Sequence, residues 1–229
     1  MPKGQPLEIW DQLRQNTPSS FAWLSLRRLR RLGSPERDER SADARCYSPT
    51  LPLLFNESDP AMPLGMYQAS VPAFLTMLNN LTAILSKAEA YAAERKIDPE
   101  VLLNWRLAAD MFPLTRQIQI AADFAKGTTA RLAGKEVPKY ADEEKSFAEI
   151  KVRIAKTVKF VEGFAAKDID GSEGRDIALT IGGQDMHFKG EPYLVHFALP
   201  NFYFHATTAY AILRRCGVEI GKRDFIGMV

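Results

Sequence analysis

From Tyr67 onward, Val71, Phe74, Leu75, Leu78, Leu81 and Leu85 recur three or four positions apart. That spacing lays them along one stripe of an α-helix, whereas a strand would split the same residues between its two faces. The stripe predicts a long first helix ending near Arg95. Asp98-Pro99 then offers a cap followed by proline at the first helical position, so a short helix over Pro99 to Leu103 is expected. Pro113 can open a second long helix on Leu114, Ile118, Ala121, Ala122 and Ala125. Gly134 ends it and Pro138 marks the loop beyond. A third helix, opened by Asp142 or Ser146, runs through Phe160 on Phe147, Ile150, Ile154, Val158 and Val161.

The period then changes to two. Ile177, Leu179 and Ile181 alternate with Ala178 and Thr180. After Gly182-Gly183, Met186 and Phe188 alternate with Asp185, His187 and Lys189. This pattern is a β-hairpin on a two-residue turn. A last helix starts near Glu191-Pro192 and reaches about Cys216, where Gly217 stops it. Pro200 predicts a kink or break in its middle. The tail from Val218 is expected to pack back across the helices. The fold class is therefore all-α: an up-and-down four-helix bundle with a small β-hairpin before the last helix.

Residues 1–61 read differently. They hold seven of the fourteen prolines, and their basic residues are eight Arg to one Lys. No period is sustained, and Gly33 to Asp43 has no apolar residue except Ala42. The expectation is a disordered N-terminal leader over 1–61 and a bundle domain over 62–229. Met62 or Met66 stands where ordered sequence begins and is expected to be the biological start. Arg27, Arg28, Arg30 and Arg31 are read as a solvated cluster, nearly balanced by Glu8, Asp11, Glu36, Asp38 and Glu39.

Thirty basic residues face 28 acidic ones, a formal charge of +2. Bulk charge thus gives no footprint for nucleic acid or for an anionic membrane surface. Uninterrupted apolar runs fall far short of the roughly 20 residues of a transmembrane helix. Cys46 and Cys216 cannot build a disulfide scaffold, which fits a reducing cytoplasm. No phosphate-binding glycine loop, nucleophile elbow or HExxH motif is present.

Three histidines carry most of the remaining chemistry. His187 shares the polar hairpin face with Asp185 and Lys189. His196 and His205 are nine positions apart, about half a turn out of phase on an unbroken helix. His205 is in register with Ala209, Ile212 and Cys216, so it faces the interior, with Asn201 one turn earlier. A buried histidine needs a hydrogen-bond partner or a metal. Arg106 and Asp110, four apart, could pair. Phe197, Phe202, Tyr203, Phe204 and Tyr210 surround the last helix as core or dimer interface.

MYQASVPAFLTMLNNLTAIL from Met66, DMFPLTRQIQIAADFAKG from Asp110, HFALPNFYFHATTAYAILRRCGV from His196 and the closing IGKRDFIG together resemble a domain-of-unknown-function family. That family is grouped with the DinB/YfiT-like metalloenzymes. The resemblance spans about Met62 to Gly227 and implies a DinB-like four-helix bundle, often a dimer. Better-known relatives hold zinc or nickel on three histidines and include thiol-dependent transferases and isomerases. One histidine stands in a His-Ile-Ala-like setting on the second helix, and a His-x-x-x-His pair lies on the fourth. Gln119-Ile120-Ala121 matches the first element, and Asn201 with His205 matches the second, so two of the three histidines are replaced. The resemblance implies a pocket of Gln119, Asn201 and His205, flanked by Asp110 and Arg106; His196, from its place on the last helix, is a further candidate. It also implies a homodimer.

Three functions fit these residues. The first is binding of a small molecule in a remodelled polar pocket with a degenerate metal site. The second is a divalent-metal-dependent, thiol-linked transferase or hydrolase-like enzyme using His205 with His196 or carboxylates. The third is a non-catalytic dimeric interaction protein.

Overall fold

A computed structural model of the chain describes residues 64–181 and 183–227. The expected leader, its boundary at 61/62, Met62, Cys46 and Gly182 lie outside the described residues. The elements run α1 (Met66–Glu94), α2 (Pro99–Leu103), α3 (Leu114–Leu132), α4 (Phe147–Glu162) and α5 (Ala166–Ile169). The hairpin strands β1 (Asp176–Ile181) and β2 (Gln184–Lys189) follow. Next come α6 (Gly190–Pro192), a π-helical stretch (Tyr193–Ala198), α7 (Leu199–Arg215) and α8 (Lys222–Ile226). The four long helices of the predicted bundle are α1, α3, α4 and α7. The hairpin stands before the last of them.

Local chemistry sets the helix ends. Asp98 accepts a hydrogen bond from the Glu100 N–H at 3.0 Å and caps α2,. Of the two residues expected to open α4, Ser146 is the cap. Its hydroxyl accepts from the Glu149 N–H while Glu149 accepts from the Ser146 N–H, a reciprocal capping box,. The N-terminus of α1 is capped from a distance: Asp170, after α5, accepts from the Tyr67 N–H at 2.8 Å,.

The predicted stripes form the core. Phe74, Leu78, Leu81 and Leu85 of α1 meet Ile118 and Ala125 of α3, Ile150 and Ile154 of α4, and Phe202 and Ile212 of α7 in one buried cluster. Each fully buried large apolar side chain contributes about 1.5–3 kcal/mol over an exposed one, so this cluster outweighs intrinsic helix propensity. Among the described helices, α1 alone is long and apolar enough to cross a membrane, and its apolar stripe is used inside the bundle. α3 packs most extensively on α7 and next on α4, while α1 packs on α4.

The interruption expected at Pro200 takes a specific form. Proline lacks the N–H for the bond back to residue 196, and its ring crowds that carbonyl. Helical backbone continues through it, but the preceding turn is widened into the π-helical stretch Tyr193–Ala198,. The hairpin register pairs Ile181 with Gln184, which leaves the predicted two-residue turn. The tail folds back as α8: Lys87 pairs with Asp224 at 2.6 Å, the Asn80 amide donates to the Phe225 carbonyl at 3.0 Å, and Phe225 packs edge-on to Tyr210.

Where β2 meets α6, the backbone of Gly190 lies against that of Ser172. A Cβ at residue 190 would stand 1.9 Å from the Ser172 carbonyl oxygen. Both sides of that contact are backbone, so neither can step aside without shifting the hairpin. Gly190→Ala should therefore lower stability by about 2 kcal/mol or more in urea denaturation. An unchanged unfolding midpoint would contradict this packing.

Candidate functional site

α3 is buried along most of its length and carries Gln117, Gln119, Lys126, Thr128 and Thr129 into the interior. Buried polar groups must find partners. On the side facing α7, His205 Nδ1 lies 2.7 Å from Gln117 Oε1, and the Gln117 amide donates to the Phe112 carbonyl at 3.0 Å. Since Oε1 can only accept, the imidazole proton is assigned to Nδ1. Phe124 stacks on the ring with centroids 6.1 Å apart, and Phe204 meets it edge-on. Burial, helped by the positive charge of Arg116, pushes the His205 pKa below the ordinary histidine value and keeps the ring neutral,.

On the side facing α4, Gln119 accepts from Arg116 at 3.2 Å and donates to Glu144 at 2.8 Å. Glu144 also accepts from Arg153 at 2.9 Å. The Arg153 side chain is only 2% exposed and sits at the centre of the network. Its guanidinium reaches Asp123, Asp142 and Glu144, each at 2.9 Å, and donates to the Ala141 carbonyl at 2.9 Å. Burial alone would lower the Arg153 pKa. The Glu144 hydrogen bond and the charges of Asp123, Glu144 and Asp142 outweigh it, and the pKa is raised. Arg116 pairs with Asp142, and Lys126 pairs with Asp123 at 2.8 Å. The Tyr140 ring carries Lys126 Nζ at 3.7 Å and Lys156 Nζ at 4.0 Å over its plane,. Its hydroxyl pKa is raised by burial.

This network borders a polar cleft of about 400 Å³ whose walls include Glu100, Asn104, Arg116, Gln119, Asp142 and Glu144. Among the residues expected from sequence, Gln119 alone lines it. His205 is buried and faces Gln117. Asn201 is half-buried and donates its amide to the Phe197 carbonyl at 2.7 Å. Gln119 bonds Arg116 and Glu144 and has no bond to Asn201 or His205. His196 is exposed, as are Arg106 and Asp110. Arg106 and Asp110 form no ion pair, and among the described residues Arg106 reaches only the Ala109 carbonyl, at 3.5 Å.

The donor set does not suit zinc or nickel. It offers one imidazole and neutral amides that are already committed, where those metals take imidazole, thiolate or carboxylate. Among the described residues, no three His, Cys, Asp or Glu side chains are grouped to hold a metal ion. The Cys216 thiol is half-buried, and burial pushes its pKa up, the reverse of an activated nucleophile,.

Two partners were legible only in part. Gln117 lies in line with Leu114 and Ala121, so its place on a buried stripe could have marked it. Arg153, three positions after Ile150, also falls on a buried stripe. Its partners Asp142 and Glu144 come from an irregular segment without any period.

Fold and hairpin together define a DinB-like four-helix bundle. A crystal structure of a DinB family member protein from Shewanella denitrificans is 45% identical in sequence, with a TM-score of 0.66 over 71% of this chain and 92% of that one. Residues 66–226 match the family model described as a domain of unknown function, DUF1993, and the chain belongs to that family. No curated protein matches it.

His205 titration gives a defined pH dependence. Its pKa is lower folded than unfolded, so below the unfolded value of about 6.5 the unfolded chain binds more protons. Stability is complete above that value and falls as pH drops through it toward the folded pKa. Urea midpoints should decline between pH ~7.5 and ~5.5, and His205→Gln should reduce that decline. An equal decline in both proteins would contradict the buried neutral ring.

Proposed function

We propose that this bundle binds a small polar molecule in the cleft beside Gln119, and that zinc or nickel is not part of its site. The carrying observation is the fate of the three expected metal positions. Gln119 lines an open polar cleft with Arg116, Asp142 and Glu144, while His205 donates its Nδ1–H to Gln117 and the Asn201 amide donates to backbone. The three-histidine centre of the better-known relatives is replaced here by hydrogen-bonding side chains, which can orient a ligand but cannot activate water as a metal does. The cleft presents both signs of charge, Glu100, Asp142 and Glu144 against Arg116 and Lys145, which suits a zwitterion such as an amino acid,. A cytoplasmic setting belongs to this reading, since two cysteines are too few for a disulfide scaffold,.

A second reading, a non-catalytic homodimer, is supported by the exposed Trp105, Leu107, Phe112 and Phe204,.

Metal analysis of untagged protein, paired with thermal unfolding, tests the first reading. The expected result is no stoichiometric metal and a Tm unmoved by added zinc or nickel. A panel of amino acids should contain members that raise Tm in the native protein and not in Arg116→Ala. Stoichiometric metal that is lost in His205→Ala would overturn the reading in favour of a metal-dependent enzyme. A dimer that dissociates on dilution, with no ligand shifting Tm, would favour the second.

A further inference from the structure

A different surface of α3, toward its C-terminal half, carries two adjoining depressions. One, of about 460 Å³, lies against the segment after α3 and is walled by Lys126, Arg131, Lys139, Tyr140 and Asp123. The other, of about 140 Å³, lies against β1 and is walled mainly by Ile120, Phe124, Leu179 and Ile181. Asp123 and Arg131 border both. The first depression is cationic, since the only carboxylate among its described lining residues, Asp123, is already shared between Lys126 at 2.8 Å and Arg153 at 2.9 Å. The second is apolar.

Arg131 stands at the junction and is held there. Its Nη1 donates to the Tyr193 hydroxyl at 3.1 Å, and among the described residues it meets no carboxylate. Its guanidinium also lies over Gly127, where a Cβ would come 2.5 Å from Nη1. Arginine presents a planar fork matched to a carboxylate, and among the described residues the fork is anchored at one nitrogen,. The apolar depression is close in volume to cavities of about 150 Å³ that admit a benzene ring.

We propose that this groove is a binding site for a small organic anion with an apolar tail about the size of one ring, its anionic group on Arg131 and its tail between Phe124 and the hairpin. The charged end is recognised by Arg131, with Lys126 and Lys139 raising the local potential. The tail buries against Ile120, Leu179 and Ile181. This site is separate from the Gln119 cleft and does not depend on the reading given for it.

Calorimetric titration of the full chain with phenylpropionate tests the proposal, with phenylpropanol lacking the charge and propionate lacking the ring. The expected result is saturable one-to-one binding of phenylpropionate, weakened by added salt, with both analogues at least about tenfold weaker. Arg131→Gln should weaken binding about tenfold or more. Gly127→Ala keeps every charge and favours helix, yet must displace the guanidinium, so it should also weaken phenylpropionate binding. Absence of saturable binding would overturn the proposal. So would equal affinity for phenylpropanol, or unchanged binding in both variants with their Tm preserved.

Discussion

A single guanidinium, that of Arg153, organises one side of this bundle. A charge taken out of water is costly unless its donors are met by well-placed acceptors. Here Asp123 comes from α3, while Asp142, Glu144 and the Ala141 carbonyl come from the segment between α3 and α4. That segment has no regular secondary structure to fix its path. Its course over α3 and α4 follows from the need to bring these acceptors to Arg153. Asp142 and Glu144 then fix Arg116 and Gln119, so the walls of the polar cleft descend from the same node. Since Asp123 and Asp142 are more than a third exposed, the node contributes less stability than a sealed ion cluster would,. Its consequence is specificity of path.

The two sides of α3 show how one helix serves different chemistry. Toward α7 it offers Gln117 to a neutral histidine within an aromatic setting, a pairing of uncharged groups. Toward α4 it offers Gln119, Asp123 and Lys126 to a charged network open to solvent. Of the ligand positions implied by family resemblance, Gln119 bonds Arg116 and Glu144, His205 bonds Gln117, and Asn201 bonds the Phe197 carbonyl. A metal centre needs its donors to converge on one point. The change from histidine to amide, with both amides bonded to protein groups, sets this chain apart from the three-histidine pattern.

The helices were legible because their stripes are long and periodic. Val71 to Leu85 and Phe147 to Val161 each define a buried face without knowledge of the rest. The hairpin was legible from the switch of period at Ile177 and the glycines after Ile181. Gly190 was not, because its requirement comes from the Ser172 backbone eighteen positions earlier. The site was legible at single residues and not in its pairings. His205 was placed in the interior from its register with Ala209 and Ile212, but its partner is Gln117 and not Gln119, two positions away on another face of α3. Arg153 has Glu149 one turn earlier, the local partner that helical spacing suggests. It is bound instead by Asp123 of α3 and by Asp142 and Glu144 from an irregular segment, where no period could announce them.

If Arg153 holds that segment in place, loosening the node should free the segment while the helices stay folded. Limited trypsin digestion reads this directly, because cleavage after the exposed Lys139 and Lys145 quickens as the segment loosens,. Arg153→Lys keeps the charge but loses the fork, and Arg153→Met loses both. The account predicts that both variants are cut at Lys139 and Lys145 about tenfold faster than the native protein, with helical circular dichroism retained and the lysines of α1 and α4 resistant. Cleavage at the native rate in both variants would contradict it.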